Sequence, residues 1–285
     1  MGDFNIFHHM PWSSTYSIYF FTIGISAALF FMSTLSWYRE EFKTLRSSTF
    51  YLSFVLLAVS GLLLIDDLSK PARFLNIMNP AYLNFTSPLA WGGLNLISFG
   101  AVSVAYFFMM RKNDEGMSRK LAVVGSLLAL GLPIYTGFDL TVHQNRPVWN
   151  TPLMPILFVA LSLVSGAAVA SFLAGKNEKL LVMLRRFMLW SAAAVGAMLV
   201  SLLGTTAYGG TGQELTFMFM TSGALGSIFI GVGILLGTAA PILLLLAPFG
   251  RQQGGMMLAA LLLLVGGMAL RYSILVGGQI VQTYF

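Results

Sequence analysis

Apolar residues in this chain run on rather than alternate, in stretches near 16–37, 50–65, 88–110, 121–142, 153–174, 187–207, 220–247 and 256–278 that carry almost no charge. A helix rising 1.5 Å per residue needs about 20 such residues to cross the hydrocarbon core of a bilayer. The pattern therefore predicts an all-α membrane protein of eight transmembrane helices in one integral membrane domain. The second stretch is short and the seventh long, so tilt, a kink or an interfacial extension must absorb the mismatch.

Composition agrees: of 285 residues, 57% are apolar and 9% charged, the make-up of a chain dissolved in lipid. Charge then adds orientation. Arg39, Lys43, Arg46, Arg111, Lys112, Arg119, Lys120, Lys176, Lys179, Arg185, Arg186 and Arg251 fall in alternate connections. The opposite connections hold Lys70, Arg73 and Arg146, with Arg271 near the end of the last stretch. Short loops rich in Lys and Arg stay cytoplasmic, so both termini are expected on the outer, periplasmic side of a prokaryotic inner membrane. With no Lys or Arg before Arg39 and an aspartate at position 3, the start lacks the basic region of a cleaved signal peptide, and the first helix is expected to stay. The net charge of +6 follows from this bias and calls for no nucleic acid.

The expected outer loops, DDLSKPARFLNIMNPAYLNFTSPLAWGG and HQNRPVWNTP, mix Pro, Asn, aromatics and a few charges. That is the composition of structured loops, which carry recognition more often than simple chain reversal, and a partner is expected on that face. The chain has no cysteine, so it holds no iron-sulfur cluster of its own. Of three histidines, His8 and His9 lie in the tail and His143 near a helix end, too few for a bis-histidine haem at membrane depth.

Candidate chemistry centres on residues 132–152, LPIYTGFDLTVHQNRPVWNTP. If helical throughout, at about 100° per residue, Tyr135, Asp139, His143 and Arg146 share an arc of roughly 80°. An Asp at a helix centre costs about 2.5–3.5 kcal/mol on insertion scales, so it usually faces a cavity or a partner and marks a functional path. A structural ion pair of Asp139 with Arg271 or Arg73 is the competing reading, as is a purely interfacial His143. Asp66 and Asp67 sit at a helix end, where an acid is cheap. Gly233 and Gly237 are expected to allow close helix packing, and Trp12, Trp37, Trp91, Trp149 and Trp190 to form an interfacial belt.

DLSKPARF at 67–74, NFTSPLAWGGLNL at 84–96, YTG at 135–137, RPVWNTPLMPILF at 146–158 and RYSILVGGQ at 271–279, in that order, together resemble the NrfD/polysulfide-reductase membrane subunits. The resemblance implies a haem-free quinone-binding subunit built as two four-helix bundles, spans 1–4 over about 16–142 and spans 5–8 over about 153–278. It implies a ferredoxin-like four-cluster [4Fe-4S] partner on the periplasmic side, serving a catalytic subunit, commonly a molybdopterin enzyme, and menaquinone or ubiquinone as the exchanged molecule. It carries Asp67 and Arg73 into the quinol site, with Tyr135 beside the quinone; where some relatives have Asn and His on the first helix, Tyr16 and Tyr19 stand here. Lys70, Arg146 and Trp149 are expected to dock the partner.

A quinol gives up two protons and two electrons, so its site needs a base near water, donors for two ring oxygens and an apolar entrance. Tyr135 is expected to contact a ring oxygen, Asp139, His143 and Asp67 to pass protons outward, and Arg73 or Arg271 to tune the carboxylates. The inner halves of the spans carry no carboxylate, only hydroxyls such as Ser33, Ser53, Ser103, Ser126 and Ser171, which predicts an electroneutral site. A passive enzyme anchor would not need Asp139; a secondary transporter would put its ionisable groups at the midplane.

Overall fold

The computed structural model describes residues 12–66, 71–79, 81 and 83–281. Eight helices among them are long and apolar enough to span a membrane. We label the helices α1 (Ser14–Leu35), α2 (Arg46–Asp66), α3 (Pro88–Arg111), α4 (Glu115–Thr141), α5 (Leu153–Leu173), α6 (Glu178–Ala207), the short α7 (Thr211–Thr221), α8 (Gly223–Leu246) and α9 (Gln253–Ile280).

Local chemistry sets the helix ends. The carboxylate of Asp114 accepts from the Met117 amide at 2.9 Å and opens α4, and the Asn177 side chain does the same for Leu180 at 3.2 Å at the start of α6. Both satisfy amides that have no partner inside the helix. Pro88 stands at the start of α3, where its missing N–H costs nothing. Gly223, at φ +60°, turns the chain between α7 and α8, a conformation a side chain would strain.

The α4 helix ends at Thr141, earlier than a single polar face through Arg146 requires. Pro147 disfavours helical geometry at Arg146 and has no amide to donate. His143 and Arg146 therefore sit in successive turns beyond the helix, through His143 N to Leu140 O at 3.2 Å and Arg146 N to His143 O at 2.9 Å. The long seventh stretch divides into α7 and α8, and residues Ser227–Ala239 of α8 are wound as a π-helix.

Within each half the spans pack as neighbours, α1 on α2 and α4, α3 on α4, α5 on α6 and α9, and α8 on α9; α1 and α4 also pack on α5. The spans α1, α5 and α9 are the most buried of the eight. The expected belt is partly wrong: Trp149 is buried in the protein, because its indole lies against Gly278 and Nε1 donates to the Ile274 carbonyl at 2.8 Å. The expected close packing at Gly237 is present, since a Cβ there would run into the backbone of Gly266 on α9.

Hydrogen bonds tie the chain's connections into two ends. At one, Trp12 and Gln279 exchange bonds at 3.2 Å, and Arg146 donates to Gln279 O at 2.6 Å. At the other, the Arg119 guanidinium covers the Tyr38 ring, and Gln253 donates to Gly175 O at 3.2 Å.

Candidate functional site

Asp139 is buried on α4, and its Oδ2 accepts a hydrogen bond from Tyr16 Oη of α1 at 2.9 Å. Residues 123 positions apart thus meet inside the protein, near the end where Trp12 meets Gln279. Tyr19, one turn along α1 from Tyr16, and Tyr135, one turn before Asp139 on α4, are buried and close enough to interact electrostatically with the carboxylate. Neither the Tyr19 nor the Tyr135 hydroxyl makes a hydrogen bond within 3.5 Å among the described residues, although that of Tyr135 faces the Tyr16 hydroxyl. A buried polar group left unpaired costs about 1–3 kcal/mol, so two together beside one acid call for an explanation.

Tyr135 also lines a cleft of about 440 Å³ between α3 and α4, with Thr86, Pro88, Trp91, Gly92, Asn95, Gly131, Ile134 and Phe138. Trp91, Ile134 and Phe138 are exposed, so the cleft opens on the surface of spans that would meet lipid. Its walls are almost wholly apolar. Gly92 makes room for the Tyr135 ring, which a Cβ at that position would strike. Asn95 donates to the Leu128 carbonyl at 3.0 Å and braces the two helices.

Above the Tyr16–Asp139 pair lies an aromatic cap. Trp12 stacks on Tyr16 at 4.8 Å and on Trp149 at 5.2 Å, and His143 meets Trp12 edge-on at 5.3 Å. His143 is half-buried outside the spans; burial lowers its pKa below the ordinary histidine value, and the neighbouring Arg146 charge adds to this. It is thus biased toward the neutral form.

The ion pair of Asp139 with Arg271 does not form. Arg271, buried on α9, donates to the Gly267 carbonyl at 3.1 Å and to Ser162 Oγ of α5 at 3.2 Å. Its guanidinium also faces the rings of Phe21 and Phe158. Arg146 and Trp149, expected at a docking surface, are buried instead: Arg146 donates to the Gly278 and Gln279 carbonyls, at 3.3 and 2.6 Å, and closes the α4–α5 turn onto the end of α9. Unsatisfied carbonyls at a helix end draw the cation in.

Asp67 and Lys70 lie outside the described residues, as does the Arg73 side chain; the backbone of Arg73 belongs to an exposed 3₁₀ turn, Pro71–Met78. Asp66 is exposed at the end of α2. The structure thus brings together Tyr16, Tyr19, Tyr135 and Asp139, sets His143 above them through the aromatic cap, and keeps Arg271 with Ser162. Sequence reasoning missed Trp12, Gly92 and Asn95; the Gly-Gly and Asn of WGGLN in an otherwise apolar helix were the available signal.

A family model described as "Polysulphide reductase, NrfD" matches residues 4–282. A component of the polysulfide reductase of Wolinella succinogenes is 27% identical across 98% of this chain and 97% of its own length. A subunit of the tetrathionate reductase of Salmonella typhimurium is 26% identical over 66% of this chain and 55% of that protein. Protein NrfD of Escherichia coli is 27% identical over 58% of this chain and 59% of that protein.

Proposed function

The chain belongs to the Polysulphide reductase, NrfD family, and from that premise we propose that it is the membrane subunit of a multi-subunit reductase, exchanging electrons between a quinone pool and an iron–sulfur partner. Two of the relatives are each named as one part of a reductase, which supports companion subunits here: a ferredoxin-like four-cluster protein and a catalytic, commonly molybdopterin, subunit. The exposed Phe74, Leu75 and Phe85 of the α2–α3 connection offer an apolar surface for the first of these.

The observation that carries the reading is the pair of unpartnered tyrosine hydroxyls beside Asp139, next to an apolar cleft open toward lipid. A quinone headgroup fits that donor set: it needs hydrogen bonds to two ring oxygens and a greasy entrance for its tail. When bound as quinol, it supplies two electrons to the iron–sulfur partner and two protons to the protein. Tyr135 offers its buried hydroxyl to one ring oxygen, and the cleft walls at Trp91 and Phe138 hold the ring and exclude water. Asp139 acts as base, with Tyr16 as the hydroxyl through which a proton reaches it. From Asp139 the proton passes to water at the end of α4, where the half-buried His143 is the neighbouring titratable group. Protons and electrons then leave at the same end, and the site is electroneutral.

The test is quinol-dependent reduction of the partner in membranes carrying Asp139→Asn, with assembly checked by the amount of partner retained. A fall of about 100-fold or more, the usual contribution of a general base, is expected at full retention. Unchanged turnover would overturn the proposal and leave a passive anchor.

A further inference from the structure

At the end opposite the tyrosine site, the α5–α6 and α8–α9 connections enclose a pocket of about 750 Å³ lined by Lys176, Arg185, Arg186 and Arg251, with Glu178, Leu181, Val182, Gln252, Gln253 and Met256. Four cations face one carboxylate, and none of the four makes an ion pair among the described residues. Clustered like charges repel, so the arrangement is relieved by an anion. The walls are already assembled: Arg185 donates to the Leu245 carbonyl at 2.6 Å, and Gln253 bridges to Gly175 O at 3.2 Å.

Arg186 also borders a second cleft, of about 540 Å³ and almost entirely apolar, between α5 and α6, with Ala160, Leu163, Met183, Phe187, Trp190, Ser191 and Ala194. Along α6 this groove runs from Met183 to Ala194, about 17 Å at 1.5 Å per residue. It starts at the basic pocket and heads toward the middle of the span, with Trp190 largely exposed on its edge. A charged pocket at a helix start that continues into a greasy groove at bilayer depth has the shape of a lipid: phosphate at one end, acyl chain at the other.

We propose that the basic pocket and the apolar groove, joined at Arg186, form one site for an anionic glycerophospholipid of the surrounding leaflet. The phosphodiester sits among Lys176, Arg186 and Arg251, and an acyl chain lies along α6 against Phe187 and Trp190. Bridging α5, α6 and the α8–α9 connection, the lipid clamps the second half of the protein. This does not depend on the quinone reading.

The test uses the full chain purified in detergent and observed by native mass spectrometry with phosphatidylglycerol, phosphatidylcholine or inorganic phosphate added. Phosphatidylglycerol is expected to be retained in preference to phosphatidylcholine. Arg186→Gln with Arg251→Gln should lower its retention about 25-fold, about fivefold for each charge removed. Arg111→Gln with Lys112→Gln, which removes two cations elsewhere on the same end, should leave it unchanged. Ala194→Phe, which fills the groove and spares every charge, should also weaken phosphatidylglycerol. Equal retention of the two lipids, or loss from the Arg111/Lys112 pair as large as from the Arg186/Arg251 pair, would overturn the proposal. So would full displacement by inorganic phosphate with no effect of Ala194→Phe, which would reduce the site to a simple anion pocket.

Discussion

Hydroxyls in the first four spans do two different jobs. At the end with the α1–α2 connection, Ser33 donates to the Arg46 carbonyl at 2.9 Å, and Ser26 and Ser53 each donate to the other's carbonyl, at 2.8 and 2.7 Å. Ser126 donates to Thr34 Oγ1 at 2.7 Å, and Thr34 to the Ala122 carbonyl at 3.0 Å. At the other end, the Tyr19 and Tyr135 hydroxyls are buried beside an acid and make no hydrogen bond within 3.5 Å among the described residues. Ser103 and Ser118 also lack partners, but neither lines the clefts described above. The difference separates glue from site: a hydroxyl bonded to a neighbouring helix holds spans together, whereas one left unbonded beside a carboxylate is available to a ligand.

Substitutions at both sets of hydroxyls test this difference. Asp139→Asn should have the largest effect, a loss of about 100-fold or more in quinol-dependent turnover, because it removes the base and keeps the shape. Tyr135→Phe should raise KM for quinol about tenfold, the worth of one hydrogen bond to a ligand, with kcat less affected; steady-state kinetics in membranes would show it. Gly92→Ala, which displaces the Tyr135 ring from its seat, should mimic Tyr135→Phe in part, raising KM severalfold, and Gly196→Ala, whose methyl would meet Thr238 and Ile242 only at ordinary van der Waals distance, should leave KM unchanged. Ser53→Ala should cost only about 0.6 kcal/mol of stability, the average for a hydrogen bond between spans, visible as a small fall in Tm with turnover intact.

The subtlest effect concerns pH. His143 is held below the ordinary histidine pKa by burial, then by Arg146, so its protonated form is disfavoured in the fold. Its titration, followed by nitrogen NMR of labelled histidine, should fall below the ordinary value of about 6.5. Because the unfolded chain binds the proton more readily, stability should decline as pH falls from that value through the lower folded one. Arg146→Gln should move the titration upward, toward the ordinary value.

The eight spans were legible because a 20-residue apolar run leaves a chain little choice in lipid. The family was legible too, in the order of five motifs. The site was legible only in part. Tyr135 and Asp139 lie one helical turn apart, and Asp139 stands out as an acid in an apolar run, but its bond to Tyr16 joins positions 123 apart, which no local spacing encodes. Extending the polar face to Arg146 failed because the helix ends at Thr141, and Pro147 keeps Arg146 itself out of helical geometry. Arg146 and Trp149 looked like docking residues by composition, yet the open carbonyls at the end of α9 draw Arg146 inward, and the Trp149 indole packs on Gly278 and donates to the Ile274 carbonyl. Gly92 stood out only as a glycine in an apolar helix, and its role, an absence of side chain under a ring contributed by another helix, is not encoded locally.

The most direct test of the tyrosine–aspartate site is photo-crosslinking with an azido-quinone analogue in native membranes, followed by peptide mapping. The account predicts label on α3 and α4 near Trp91, Tyr135 and Phe138, suppressed by excess natural quinol and lost in a variant that blocks the cleft, such as Gly131→Phe. Competable label confined to spans away from that cleft would contradict it.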